Sequence, residues 1–372
     1  MATDLIKLTP AQQFIQGVDL SEPQKLVRAK RLAAAQELIP DIGSLRRHLQ
    51  TALELEHATI PAYLTALYSI KDGTNAESAE IIQSVVMEEM LHMTLVANVL
   101  NAVGGKPRIN SPGFIPQYPG PLPHSSGALQ VGLMPFSREA IDTYCQIEKP
   151  APPGAKPQFD RYDTIGQFYE ALQLVMVELE RQAKPNTIFT GDPARQIQPH
   201  HAYYGGGGEV IAVEGLKAAL EALEEITDQG EGLPHDIHDG DEKFGDEQEL
   251  AHYFRFMQIA EGRYYTADDT PRSGPTGSAF PVDWTAAWNM SPNPKMERYK
   301  GRPEVEEIMA DFNRGYTQLL GGLHKAFNGE PDQLQIAVPS MYRLKYLAQA
   351  LMRIPTGVGD TTVGPSFEYD DN

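Results

Sequence analysis

Three glutamate–histidine pairs at i, i+3 spacing stand out in a chain with only 10 histidines among 372 residues: Glu54–His57, Glu89–His92 and Glu249–His252. Residues three apart on an α-helix lie on one side, about one turn from each other, so a carboxylate and an imidazole can reach one ion. Carboxylates suit manganese and iron, imidazole suits iron, and a pair of metal ions sharing ligands sits about 3.5–4 Å apart. Two such pairs from two helices, completed by single glutamates from two others, make a dimetal carboxylate centre in a helix bundle. Whether the pairs meet depends on the helices that carry them.

The spacing of apolar residues predicts a lead-in helix from Ser21 to Leu38, then a strong helix from Asp41 to Ile70 with Leu49, Leu53, Glu56, Ile60, Tyr63 and Leu67 in one stripe. Lys71 to Asn75 reads as a turn. A second long helix, Glu77 to Val103, puts Ile82, Val85, Glu89, His92, Val96 and Leu100 on one face, and Gly104-Gly105 ends it. Residues 106–163 are rich in Pro and Gly, with a short strand expected at Leu129 to Leu133 and a short helix opening at the N-cap Ser137. A third long helix runs from Thr164 to Ala183. Further helices are predicted from Val213 to Asp228, Glu247 to Tyr265, Pro303 to Phe327 and Gln333 to Arg353. The expected fold is all-α: a four-helix bundle with long irregular crossovers and additional C-terminal helices. Its predicted division is a lead-in over 1–40, the bundle over 41–265 and a packed extension over 266–372, together one structural unit.

Glu89–His92 and Glu249–His252 each continue an otherwise apolar stripe, where an inward carboxylate is costly unless paired or metal-bound. On the first long helix Glu56 lies at the centre of the stripe and Glu54 points nearly opposite, at about 100° per residue. Glu56 is therefore the expected ligand, with Glu54–His57 supporting it or lying at the surface. The third helix has no acid on its main stripe. Glu170, on a weaker second stripe, is the expected ligand there and Glu178 the alternative. The predicted metal set is Glu56, Glu89, His92, Glu170, Glu249 and His252.

Composition narrows the partners. The net charge is −19 and no Lys/Arg cluster is present, which disfavours nucleic acid and anionic membranes as partners. No apolar run approaches a membrane span, and no secretory h-region precedes Pro10, so a cytoplasmic protein is expected. The single cysteine, Cys145, excludes an intramolecular disulfide and any thiolate-rich metal site. Plainer readings suit the remaining motifs. His200-His201 beside four glycines reads as a polar loop. His235-Asp-Ile-His-Asp-Gly-Asp241 lacks the ligand spacing of a calcium loop. Met87, Met90 and Met93 read as core, and Tyr63 and Tyr169 as packing or hydrogen-bond partners.

Several stretches resemble a known family, the ferritin-like domain associated with iminophenyl-pyruvate dimer synthases of violacein- and rebeccamycin-type pathways. They are Leu53 to Ile70, Glu88-Glu-Met-Leu-His-Met93, Phe168-Tyr-Glu170, Gln229-Gly-Glu-Gly232, His252-Tyr-Phe-Arg-Phe256 and Gly364-Pro-Ser-Phe-Glu368. The resemblance implies a ferritin-like bundle and carries over to the same six candidate ligands. From the donor chemistry, the expected cofactor is two iron ions, with manganese or a mixed Mn/Fe pair as alternatives. The expected function is a di-iron oxidoreductase that uses O₂ to oxidise a small, amino-acid-derived metabolite, with self-association left open. Alternatives are a dimer-synthase-like coupling enzyme, a ferroxidase or iron-handling protein, and a metal-free scaffold partner.

Overall fold

The computed structural model describes residues 13, 14, 17, 21–152, 155–158, 161–201, 207–233, 236–243, 247–337 and 339–371. Helix α1 (Glu22–Leu38) opens with a capping box between Ser21 and Gln24. Helix α2 (Ile42–Ser69) starts at Asp41, whose carboxylate accepts from the Ser44 amide, and runs as one helix through Pro61. Helix α3 (Ala76–Ala102) follows the turn and packs along α2 as an antiparallel partner. Helix α4 (Arg138–Ile147) is capped by the Ser137 hydroxyl, as the sequence predicts. Helices α5 (Ile165–Ala183) and α6 (Leu216–Glu231) complete the bundle. Contacts run α2 to α3, α3 to α6, α6 to α5 and α5 back to α2, closing a four-helix ring.

The short elements sit on this frame. Strands β1 (Gly120–Pro121) and β2 (Gln130–Val131) pair antiparallel, so only the centre of the strand expected at Leu129 to Leu133 forms. Strands β3 (His238–Lys243) and β4 (Glu247–Leu250) make a second antiparallel pair. Helix α7 begins only at His252 and ends at Glu261 (His252–Glu261), with Ala251 as its extended N-cap. The helix expected from Glu247 is thus a strand followed by a shorter helix, because the backbone of 247–250 pairs with β3. Helix α6 runs on through Gln229 to Glu231, beyond its expected end at Asp228. Helix α7 packs on α4, α3 and α6.

At the C-terminal end, α8 (Pro303–Ala326) packs on α9 (Gln333–Ala337) and α10 (Ser340–Met352), and α10 reaches α2. One helix was expected over Gln333 to Arg353; it is two, with Pro339 at the N-cap of α10, a position that tolerates a residue without an N–H. The main apolar core is contiguous from Ala35 to Phe367, so the C-terminal helices share it with the bundle. Each fully buried leucine in it contributes about 1.5–3 kcal/mol. No described helix is long and apolar enough to cross a membrane.

Candidate metal centre

Two buried groups of ligand atoms meet inside the ring: Glu56, Glu89 and His92, and Glu89, Glu148 and His252. In each group the donors lie within 4.8 Å of one another. Helix α2 supplies Glu56 and α3 supplies Glu89 and His92, all from the apolar stripes that pack the two helices together. Glu148 is the C-cap residue of α4, and His252 is the first residue of α7.

Glu89 belongs to both groups. Its Oε2 lies 3.8 Å from His92 Nδ1, and its Oε1 lies 3.3 Å from His252 Nδ1. Glu56 Oε2 is 3.3 Å from His92 Nδ1, and Glu148 Oε2 is 3.7 Å from His252 Nδ1. The imidazole rings stack with centroids 5.4 Å apart. Each terminal glutamate is held by a tyrosine: Tyr169 donates to Glu56 Oε1 and Tyr63 donates to Glu148 Oε1. The Thr59 hydroxyl lies 3.1 Å from Glu89 Oε2. The result is a near-mirror arrangement about Glu89.

The outer hydrogen bonds set the tautomers. His92 Nε2 is 2.8 Å from Gln229 Oε1. The amide nitrogen of Gln229 donates to Asp241 Oδ2 at 2.8 Å and Glu225 Oε1 at 3.2 Å, so the amide must turn its oxygen to His92. His92 therefore donates from Nε2. His252 Nε2 lies 2.8 Å from Glu88 Oε2, an acceptor, so it donates as well. Both histidines then aim Nδ1 at carboxylates. His252 Nδ1 is buried without a well-formed hydrogen bond. Such a nitrogen, facing anionic oxygens, suits a cation.

Electrostatics agree. Burial opposes charge on His92, but the Glu56 and Glu89 carboxylates raise its pKa to about 10. His252 is likewise raised by Glu148, Glu88 and Glu89 against the effect of burial. Burial, aided by the Glu89 charge, pushes Glu56 up to about 7 and also raises Glu148. Burial works against the charge on Glu89, which is nonetheless held low by His252 and His92. With no metal bound, a proton on each Nδ1 would supply the positive charge that the carboxylates favour. Glu56, Glu89, His92, Glu148 and His252 would hold divalent ions in place of those protons, Glu89 belonging to both groups, and the glutamate–imidazole donor set fits iron or manganese.

A cavity of about 20 Å³ adjoins the group, lined by Leu55, Ile147, Ile165 and Ile226 together with Glu56, Glu89, His92 and Glu148. That volume accommodates about one water-sized molecule.

The structure brings together Glu56, Glu89, His92 and His252 from the predicted set, and it corrects the other two. Glu170 faces α1, with Oε2 2.9 Å from Arg31 Nη2. Its weaker stripe is the one α1 covers, and burial there raises its pKa to about 7. The reserve acid, Glu178, pairs with Arg181. Glu249 lies on β4 instead of one turn before His252, and its Oε1 is 3.4 Å from Arg255 Nη1. Glu148 takes the place expected of an acid on the third long helix. The sequence carries little signal for it, since it stands just beyond a short helix in a Pro/Gly-rich segment. Among the outer residues, Gln229 and Arg255 fall in stretches that carry the family resemblance, although no role could be assigned to them from sequence.

Of the weaker motifs, Glu54 is partly exposed beside Gln50. His57 is buried against Phe114, accepts or donates at Tyr316, and has its pKa lowered to about 3 by burial. The His200 and His201 rings lie tilted against each other, with centroids 4.0 Å apart, in a short 3₁₀ turn. His235 lies outside the described residues. Met90 and Met93 are core residues, and Met87 packs against the core.

The chain belongs to the Ferritin-like family, whose model matches residues 49–261. It is 27% identical over 332 residues to dichlorochromopyrrolate synthase of Lentzea aerocolonigenes, covering 77% of this chain and 29% of that protein. It is 24% identical over 390 residues to 2-imino-3-(indol-3-yl)propanoate dimerase of Chromobacterium violaceum, covering 88% of this chain and 35% of that protein. The chain thus spans about a third of the length of these curated relatives. The crystal structure of a ferritin-like protein from Caulobacter vibrioides superposes with a TM-score of 0.58 at 25% identity, over 88% of this chain and 97% of that one.

Proposed function

We propose that this protein is a dimetal-carboxylate oxidoreductase that binds two iron ions and uses O₂ to oxidise a small, amino-acid-derived molecule. The observation that carries the reading is Glu89, which directs one oxygen to each of two buried glutamate–histidine groups. When bound, an iron pair supplies redox chemistry with O₂ that no side chain here provides. The protein's own part is positional. Tyr169 and Tyr63 orient the terminal glutamates, and Gln229 and Glu88 orient the histidines. The isoleucines around the cavity limit water beside the group, which strengthens every charge interaction there. A cavity of about 20 Å³ matches dioxygen or water, so an organic substrate would bind beyond the Ile147, Ile165 and Ile226 wall or displace it. The proposed partners are that substrate and O₂, in the cytoplasm.

Anaerobic Fe(II) loading followed by O₂ and metal analysis tests this. Two iron ions per chain are expected, and a chain that takes up none sinks the reading.

The name of the Chromobacterium violaceum relative, a 2-imino-3-(indol-3-yl)propanoate dimerase, favours a second reading, the coupling of two 2-imino acid units. Product analysis with the imine of indole-3-pyruvate separates them: a dimer supports coupling, and an oxidised monomer supports the first reading. Long segments beyond a minimal bundle weigh against iron storage, which a hollow cage in light scattering would restore.

A further inference from the structure

The near-mirror symmetry about Glu89 breaks one layer out. His92 leans on the neutral amide of Gln229, whereas His252 leans on the carboxylate of Glu88. We infer that the two half-sites are unequal, and that the Glu148–His252 half holds its metal more tightly because Glu88 backs its imidazole. This inference rests on the dimetal reading above.

The physical argument concerns ligand basicity. An imidazole that donates to a carboxylate carries more electron density at its other nitrogen than one that donates to an amide, and charge-assisted hydrogen bonds are roughly twice as strong as neutral ones. Glu88 is completely buried, so its effect is little screened by solvent. Arg255 offsets part of the charge, with Nη1 2.8 Å from Glu88 Oε1. The same guanidinium also serves Asp239 at 2.9 Å and lies 3.4 Å from Glu249, so it is shared among three acids. On the other side Gln229 meets Asp241 and Glu225, but these acids stand one hydrogen bond further from His92. Glu88 touches His252 directly. Contact therefore favours the His252 half.

Two ions that share Glu89 repel each other, so stepwise binding to the intact protein would not by itself reveal unequal halves. The test isolates each half. In the metal-free full chain, His92→Ala leaves the Glu148–His252 half and His252→Ala leaves the Glu56–His92 half. Mn(II) is titrated into each, with the free ion followed by its EPR signal and by competition with a chelator. His92→Ala is expected to bind one Mn(II) about 10- to 100-fold more tightly than His252→Ala does, the range typical of outer hydrogen-bond partners. Adding Glu88→Gln to His92→Ala keeps a carbonyl acceptor of the same size and is expected to remove that advantage. Thermal unfolding confirms that each variant is folded. If a variant fails to fold, Glu88→Gln alone serves, and it is expected to weaken the first Mn(II) step of the otherwise intact protein while leaving the second. Equal affinities in the two single variants, or a Glu88→Gln change that alters no step, overturn the inference but leave the dimetal reading. A wild-type chain that binds neither Mn(II) nor Fe(II) overturns both.

Discussion

At the scale of single residues, the site turns on where a carboxylate is aimed. Glu148 and Glu170 are both largely buried acids on the α4–α5 side of the bundle, yet one faces His252 and the other faces Arg31. Glu148→Ala is therefore expected to lower retained iron to about one ion per chain, with the remaining affinity on that side reduced at least about 100-fold. Glu170→Ala is expected to leave two ions in place. Metal analysis of the two purified variants after Fe(II) loading checks this, and loss of iron from Glu170→Ala with none from Glu148→Ala would reverse the assignment.

At the scale of elements, His252 depends on the β3–β4 pair ending just before it. Because 247–250 are extended, Ala251 can cap α7 and the chain enters the helix with His252 inside the bundle. Glu249 leaves the metal group for the same reason. Gly208 has a related role. Gly208 has φ +79°, and a Cβ there would lie 2.3 Å from Gln229 Nε2 and 2.4 Å from Glu225 Oε1. Gly208→Ala combines an unfavourable backbone conformation with displacement of Gln229, the residue that orients His92. A stability loss of about 1–3 kcal/mol is expected in denaturant unfolding, together with weaker metal binding at the His92 half. An unchanged unfolding midpoint would show that this loop does not press on Gln229.

At the scale of the whole molecule, buried acids give the metal-free protein an unusual pH response. Burial pushes Glu170, Glu225 and Glu231 each up to about 7, from an ordinary value of 4.5. Between those values the folded state holds protons that the unfolded chain releases, so stability falls as pH rises through that window. His92, raised from 6.5 to about 10, acts in the same direction at higher pH: its contribution is complete below 6.5 and is lost toward 10. Glu88 acts oppositely. Burial resists its ionisation, but Arg255 holds it down to about 2, so its contribution is lost only as pH falls from 4.5 toward 2. Metal-free protein should therefore melt at a higher temperature near pH 5.5 than near pH 8, and Mn(II) or Fe(II) should narrow the gap by replacing the His92 proton. Calorimetric scans across this range check it, and a Tm that climbs steadily to pH 8 would contradict it.

The bundle and four of the five residues at the centre of the candidate site were legible in sequence because they follow helical periodicity. Glu56, Glu89 and His92 interrupt apolar stripes on long helices, and a charged group in such a stripe must face the interior. His252 was legible from its pairing with Glu249, although that partner belongs to a strand. Glu148 was not, since it sits at a helix end in a Pro/Gly-rich segment where no period says which way a side chain points. Glu170 was misassigned because its stripe is buried by α1 and not by the bundle, and periodicity reports that a face is covered without reporting by what. The roles of Glu88, Gln229 and Arg255 were likewise beyond local pattern. Each depends on contact between residues far apart in the chain, from α3 to α6 and α7, and only tertiary packing brings those atoms to within a hydrogen bond of one another.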